Sequence, residues 1–290
     1  MYLSFKGYKT YYEIHGQKSD KPAIILLHGG PGSTCEKLRS LLSSADKLGR
    51  QLIIYDQLGC GKSSLDLPRY LYSTDTYVEE LANLISALDI NSYYLLGHSW
   101  GGMLALLFTL KEERRGLRGL ILSSTLSSTS LWAKEANRLI TYLSIEDQRA
   151  IQEAIKKDDY TSLEYLLALY HYYKRYVSSN IKESDFMAKQ LEASKHPNLP
   201  YELLWGKNEF TPTGTLKDYE VTPRLAEIKV PTLLLSGTDD ESTPLINKVM
   251  YDNLICFKKW HLFSSYNHSS FIGNEEYIDV LNSFLSEVEK

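Results

Sequence analysis

Apolar positions follow two alternating rhythms along the first 125 residues. Short β-rich runs, AIILLHG, QLIIYDQ, SYYLLGH and LRGLILSS, alternate with CEKLRSLLSSADKLG, DTYVEELANLISALDI and WGGMLALLFTLKEERR, which carry helical spacing. Near-continuous apolar strands separated by helices predict an α/β architecture, a mostly parallel sheet with helices on both faces. In the second helix Val78, Leu81, Ala82, Ile85 and Leu88 recur at helical spacing and supply an apolar face to lie on the sheet. The N-terminal MYLSFKGYKTYYEIHG alternates aromatic and polar residues and predicts a hairpin. It has neither the apolar core nor the small-residue cleavage site of a secretory signal.

After Ser124 the alternation stops. Residues 126–222 read as helices and loops rich in Leu, Tyr and charge, until VPTLLLSG and KKWHLF restore strands and NEEYIDVLNSFLSEVEK closes with an amphipathic helix. The pattern predicts one α/β domain made of residues 1–125 and 223–290, with a helical cap, 126–222, inserted into it. The run MLALLFTL is ended by KEERR, far short of the roughly 18 apolar residues that cross a bilayer, so no membrane span is expected.

Composition narrows the function. With 290 residues, 43% hydrophobic and 23% charged, the chain can bury one substantial core. A formal net charge of −4 offers no broad footprint for nucleic acid. Cys35, Cys60 and Cys256 are odd in number and scattered, which fits reduced thiols in the cytoplasm and predicts no metal site. DQLGCGKSS ends like a phosphate-binding loop, but Asp56 stands where that motif needs glycine, and no G-x-G-x-x-G opens the first helix; no cofactor is expected.

The chemistry lies in YYLLGHSWGG. Gly97-His98-Ser99-Trp100-Gly101 fits the G-x-S-x-G elbow between a strand and a helix, where small neighbours permit a sharp turn that exposes the serine hydroxyl. Ser99 is the candidate nucleophile. A serine needs a base, and the base an orienting acid, in the chain order Ser, acid, His for this elbow. His268, in FSSYNHSSFIGN before the last helix, is the expected base; His261 falls inside a strand, and His171 and His196 fall in the cap. Among Asp239, Asp240 and Glu241, Asp240 is preferred because it lies a few residues past the strand end, where the loop can turn back to the histidine. An oxyanion would meet the Trp100 amide and one from His28-Gly29-Gly30-Pro31-Gly32; proline has no donor, which leaves Gly29 or Gly30.

Taken together, HGGPG, DQLGCGKS, GHSWGG, WGKNEFTPTGTLKDYEVT and SGTDDESTP resemble the prolyl aminopeptidase, or proline iminopeptidase, family over nearly the whole chain. The likeness is to the branch that includes the tricorn-interacting aminopeptidase, since longer members carry a nucleophile segment closer to GGSWGS. The resemblance implies an α/β-hydrolase fold and removal of the N-terminal residue, proline above all, from short peptides with a free N-terminus, which an upstream protease would supply. It assigns Ser99, Asp240 and His268 to the triad and Gly30 and Trp100 to the oxyanion amides. It also assigns Glu209 of WGKNEF and Glu241 of TDDEST to binding the substrate's α-amino group, as an aminopeptidase needs carboxylates at the closed end of its pocket. An esterase or lipase with the same triad, and a non-catalytic ligand-binding homologue, are the alternatives.

Overall fold

The computed structural model describes residues 1–111 and 115–290. Their strands are β1 (Tyr2–Phe5), β2 (Tyr8–His15), β3 (Ala23–Leu27), β4 (Leu52–Asp56), β5 (Tyr93–His98), β6 (Leu117–Ser123), β7 (Thr232–Gly237) and β8 (Lys258–Phe263), in one sheet of order β1-β2-β4-β3-β5-β6-β7-β8. The N-terminal hairpin β1–β2 joins β4 antiparallel; every other pairing is parallel. Side chains alternate between faces, so Ile24, Leu26, Leu52 and Ile54 enter one core while Ile25, Leu27, Ile53 and Tyr55 enter the other.

The helices outside the insertion are α1 (Ala45–Leu48), α2 (Thr74–Ala87) and α3 (Trp100–Lys111) before it, and α9 (Pro244–Asn253) and α10 (Glu275–Val288) after it. Helix α3 is buried nearly all round, which explains its lack of a polar face. The charged KEERR after it falls partly, at 112–114, outside the described residues. Among the described residues no helix is long and apolar enough to cross a membrane.

Two expectations shift. The segment Cys35–Ser44, expected as an α-helix, is wound as a 3₁₀ helix before α1. Its buried positions, Cys35, Leu38, Leu41 and Ser44, fall every third residue, the 3₁₀ period. In α2 the buried face is centred on Tyr77, Glu80, Leu81 and Leu84, leaving Ala82, Ile85 and Leu88 at its rim. Glu80 turns inward because its carboxylate accepts the Thr10 hydroxyl at 2.5 Å and the Leu58 N–H at 3.1 Å. Burial pushes that carboxyl up to about 8.

Between β6 and β7 lie α4 (Thr129–Ile140), α5 (Ile145–Lys157), α6 (Leu163–Tyr176), α7 (Glu183–Lys195) and α8 (Leu199–Leu204). The segment leaves and re-enters the sheet domain through one neck. There Ser128 bridges Glu220, Thr129 N–H donates to Tyr219 O (2.9 Å) and Val221 N–H to Ser127 O (2.8 Å). It lies against the loops after the strands: the Tyr176 carbonyl accepts from the amides of Glu241 (3.3 Å) and His268 (3.0 Å). Because β3 is flanked by β4 on one side and β5 on the other, successive connections diverge at its C-terminal end, where open α/β sheets form their ligand crevice.

Candidate active site

Ser99 sits between β5 and α3 with φ +55°, left-handed backbone that a non-glycine residue adopts at a cost of about 1 kcal/mol or more. The turn holds because its neighbours are glycines. A Cβ on Gly97 would overlap the Gly101 carbonyl, and one on Gly101 would overlap the Leu27 carbonyl. The Ser99 amide donates to Ser123 O (2.9 Å), and its carbonyl accepts the Thr125 hydroxyl (2.7 Å), which ties the elbow to the end of β6.

Asp240 and His268 meet in the loops after β7 and β8. His268 Nδ1 lies 2.8 Å from Asp240 Oδ1, and both side chains are buried. The same Oδ1 accepts the Ser242 amide (2.7 Å), and Oδ2 accepts the Ser124 hydroxyl (2.6 Å). Asp239 beside it is exposed, so the two adjacent aspartates occupy different environments. The His268 ring packs against His98, centroids 4.8 Å apart, and against the edge of Trp132 at 6.1 Å. Burial, and then the nearby His268, hold His98 well below its ordinary value, hence neutral. Ser99 Oγ has no hydrogen-bond partner among the described residues, and no Ser99–His268 bond is formed. Catalytic hydrogen bonds in unliganded sites are commonly long and tighten with substrate.

The loop after β3 packs on the elbow: a Cβ on Gly29 would lie 3.1 Å from Ser99 Cβ. Gly30 has φ +115°. Neither its amide nor that of Trp100, at the start of α3, donates to a protein acceptor among the described residues. Gln57 spans the two carriers. Its amide N–H donates to His28 Nε2 (3.0 Å), its Nε2 to His28 O (3.3 Å), and its Oε1 accepts Trp100 Nε1–H (2.8 Å). Accepting at Nε2 leaves the neutral His28 ring to donate from Nδ1 to Gly29 O, 2.9 Å away.

Glu241 is buried next to the triad, with Oε1 3.7 Å from His268 Nε2 and Oε2 within hydrogen-bond distance of no partner among the described residues. Glu209 presents Oε2 to the hydroxyls of Tyr201 (2.8 Å) and Tyr173 (3.2 Å). Burial raises both carboxyls. Glu241 is raised further by Glu209 and then Asp240; Tyr201, His268, Tyr173 and Lys37 pull Glu209 back down. Both carboxyls are buried, and the charge of Glu209 makes Glu241 the harder of the two to ionise.

Sequence reasoning missed Tyr173, Tyr201, Ser124 and Gln57. Tyr173 belongs to LEYLLALYHYYKRY, a stretch dense enough in tyrosine to hide any one of them. Tyr201, eight residues before Glu209, carries no spacing signal, since its hydroxyl finds the carboxylate only once the chain is folded.

A serine on a strained elbow, a histidine seated on a buried carboxylate, and two amides that donate to no protein acceptor among the described residues are the parts a nucleophilic hydrolase uses. The chain belongs to the α/β-hydrolase fold family, whose model matches residues 22–275. Within that family it belongs with the proline iminopeptidases. It is 44% identical over 288 residues to the proline iminopeptidase of Lactobacillus helveticus, covering 98% of this chain and 97% of that one. It is also 44% identical over 287 residues to the one of Clostridioides difficile, with 98% and 97% covered. The crystal structure of proline iminopeptidase from Mycobacterium smegmatis superposes with a TM-score of 0.87 at 29% identity, covering 100% of this chain and 98% of that one.

Proposed function

We propose that the protein is a serine aminopeptidase that releases N-terminal proline from short peptides through an acyl-enzyme. The observation that carries this reading is the buried Glu209–Glu241 pair beside the triad, where Glu241 Oε2 meets no hydrogen-bond partner among the described residues and so can accept one from a substrate. A peptide's terminal ammonium supplies that bond, and an ester's acyl chain does not. The 44% identity to proline iminopeptidases over nearly the full chain supports proline as the residue released.

In this mechanism Glu209 and Glu241 bind the ammonium and set the scissile carbonyl beside Ser99. His268, oriented by Asp240, takes the Ser99 proton as Oγ attacks the carbonyl carbon, and the Gly30 and Trp100 amides receive the oxyanion. The tetrahedral species collapses, the C–N bond breaks, and His268 gives its proton to the leaving amine. Water, deprotonated by His268, then attacks the acyl-enzyme, and the proton returns to Ser99 as proline departs.

Residues 126–222 act here as a cap that closes the pocket over the amine end, supported by Tyr173, Tyr201 and Glu209 all coming from this stretch. The segment GHSWGG supports membership of the branch that includes the tricorn-interacting aminopeptidase. Three unpaired cysteines support a cytoplasmic location, where an upstream endopeptidase would supply short peptides.

A panel of aminoacyl p-nitroanilides and di- to tetrapeptides tests the reading. Proline p-nitroanilide should be turned over with higher kcat/KM than its N-acetylated form or a short acyl ester. Preference for the ester would overturn it.

A further inference from the structure

One side chain touches both halves of the site. Asn198 caps the short helix α8: its Oδ1 accepts the Tyr201 amide (3.2 Å), while its Nδ2 donates to the Gly32 carbonyl (2.9 Å) in the loop that carries Gly30. Gly32, with φ +83°, has to be glycine for this contact, since a Cβ there would overlap the Asn198 amide. The first turn of the same helix is seated as closely: Pro200 Cγ would lie 3.0 Å from a Cβ on Gly59, in the loop that follows Gln57. Tyr201 is also the residue whose hydroxyl holds Glu209 at 2.8 Å. A continuous path therefore runs from Glu209 through the Tyr201 hydroxyl and backbone to Asn198, and on to Gly32, two residues from the Gly30 amide.

We propose that Asn198 is a positioning residue that couples capture of the substrate ammonium at Glu209 to placement of the Gly30 amide for the oxyanion. The proposal rests on the aminopeptidase reading and adds to it that the terminal amine raises kcat, not only affinity. An ammonium on Glu209 fixes the carboxylate, and with it the Tyr201 hydroxyl and the first turn of α8. The Asn198 bond to Gly32 then holds the oxyanion loop in register with Trp100. A substrate without the amine leaves that path slack, so it meets the same triad with a less ordered oxyanion loop.

Asn198→Asp separates this role from helix capping. Aspartate caps as well as asparagine, so the Tyr201 contact and the thermal stability are expected to persist, but a carboxylate cannot donate to the Gly32 carbonyl. Two substrates with the same ring are compared: proline p-nitroanilide, and p-nitrophenyl cyclopentanecarboxylate, which lacks the amine. N198D is expected to lower the anilide-to-ester ratio of kcat/KM about tenfold, with the change in kcat rather than KM. In a Glu209→Gln background, where the Tyr201 hydroxyl keeps an acceptor but the ammonium no longer meets a carboxylate, the same substitution should change anilide turnover by less than about twofold. Equal loss on both substrates, or an equal factor in both backgrounds, would reduce Asn198 to a structural cap and overturn the coupling. A wild-type enzyme that fails on the anilide but turns over the ester would count against the aminopeptidase reading itself. An intact anilide activity with an unchanged ratio in N198D would count against the coupling alone.

Discussion

The Ser124 hydroxyl donates to Asp240 Oδ2 at 2.6 Å while the other oxygen of the same carboxylate holds His268 at 2.8 Å. Asp240 is thus gripped from the end of β6 and aims from the end of β7, so two strands determine one imidazole orientation. Ser124→Ala should lower kcat about five- to tenfold with KM little changed, because the triad survives but the carboxylate loses one of its anchors. A variant with wild-type kcat would show that the Ser242 and Gly237 amides suffice to orient Asp240.

The elbow backbone predicts an opposition between activity and stability. Ser99→Gly removes the nucleophile and also the Cβ that makes φ +55° costly. Turnover should fall by several orders of magnitude while the folded state gains about 1 kcal/mol, read as a raised Tm. Ser99→Ala should be equally inactive without that gain. If S99G melts below S99A, the elbow is not strained in the sense argued.

The paired glutamates set an acid limb for amine-bearing substrates. Burial raises both carboxyls, and Glu209 raises Glu241 further, so each is protonated at a higher pH than an ordinary glutamate. As pH falls through those raised values the ammonium loses its counter-charge, and kcat/KM for proline p-nitroanilide falls with it. Glu209→Gln removes one charge from beside Glu241 and should move the limb to lower pH, on a plateau about tenfold or more below wild type. A limb at the same pH in both proteins would exclude repulsion between the two as its cause.

Glu80 makes a stability prediction remote from catalysis. Burial pushes its carboxyl up to about 8, from 4.5 for an exposed glutamate. The folded state therefore holds this proton more tightly than the unfolded chain. The associated stability is fully present below 4.5 and is lost as pH rises towards and through 8. Glu80→Gln should flatten the decline in Tm across that window. An unchanged slope would mean that Glu80 is already ionised in the folded protein.

The parts of this site legible in the sequence are those fixed by local geometry or by chain order. Gly97 and Gly101 bracket Ser99 because backbone carbonyls lie where their Cβ atoms would be, a local demand that leaves a readable motif. Asp240 and His268 follow strands β7 and β8, so their order along the chain was informative. Glu209 and Glu241 were legible only through resemblance, since an isolated glutamate in a loop carries no sign that another will be packed near it. Tyr201, Ser124 and Gln57 act by side-chain contacts whose partners are set by folding, and no spacing announces them. The helix misread at Cys35–Ser44 failed for a related reason: periods of 3.0 and 3.6 are hard to separate over ten residues.

The neck at Ser128 and Glu220 has an evolutionary consequence. Because both passages of the chain run side by side there, the ends of the inserted segment lie a hydrogen bond apart, and the sheet experiences it as one closed loop. A loop with adjoining ends can be lengthened, shortened or exchanged while the strands that carry Ser99, Asp240 and His268 keep their spacing. On the proposed reading of that loop as a cap, the choice of substrate can change while the strands beneath keep the chemistry in place.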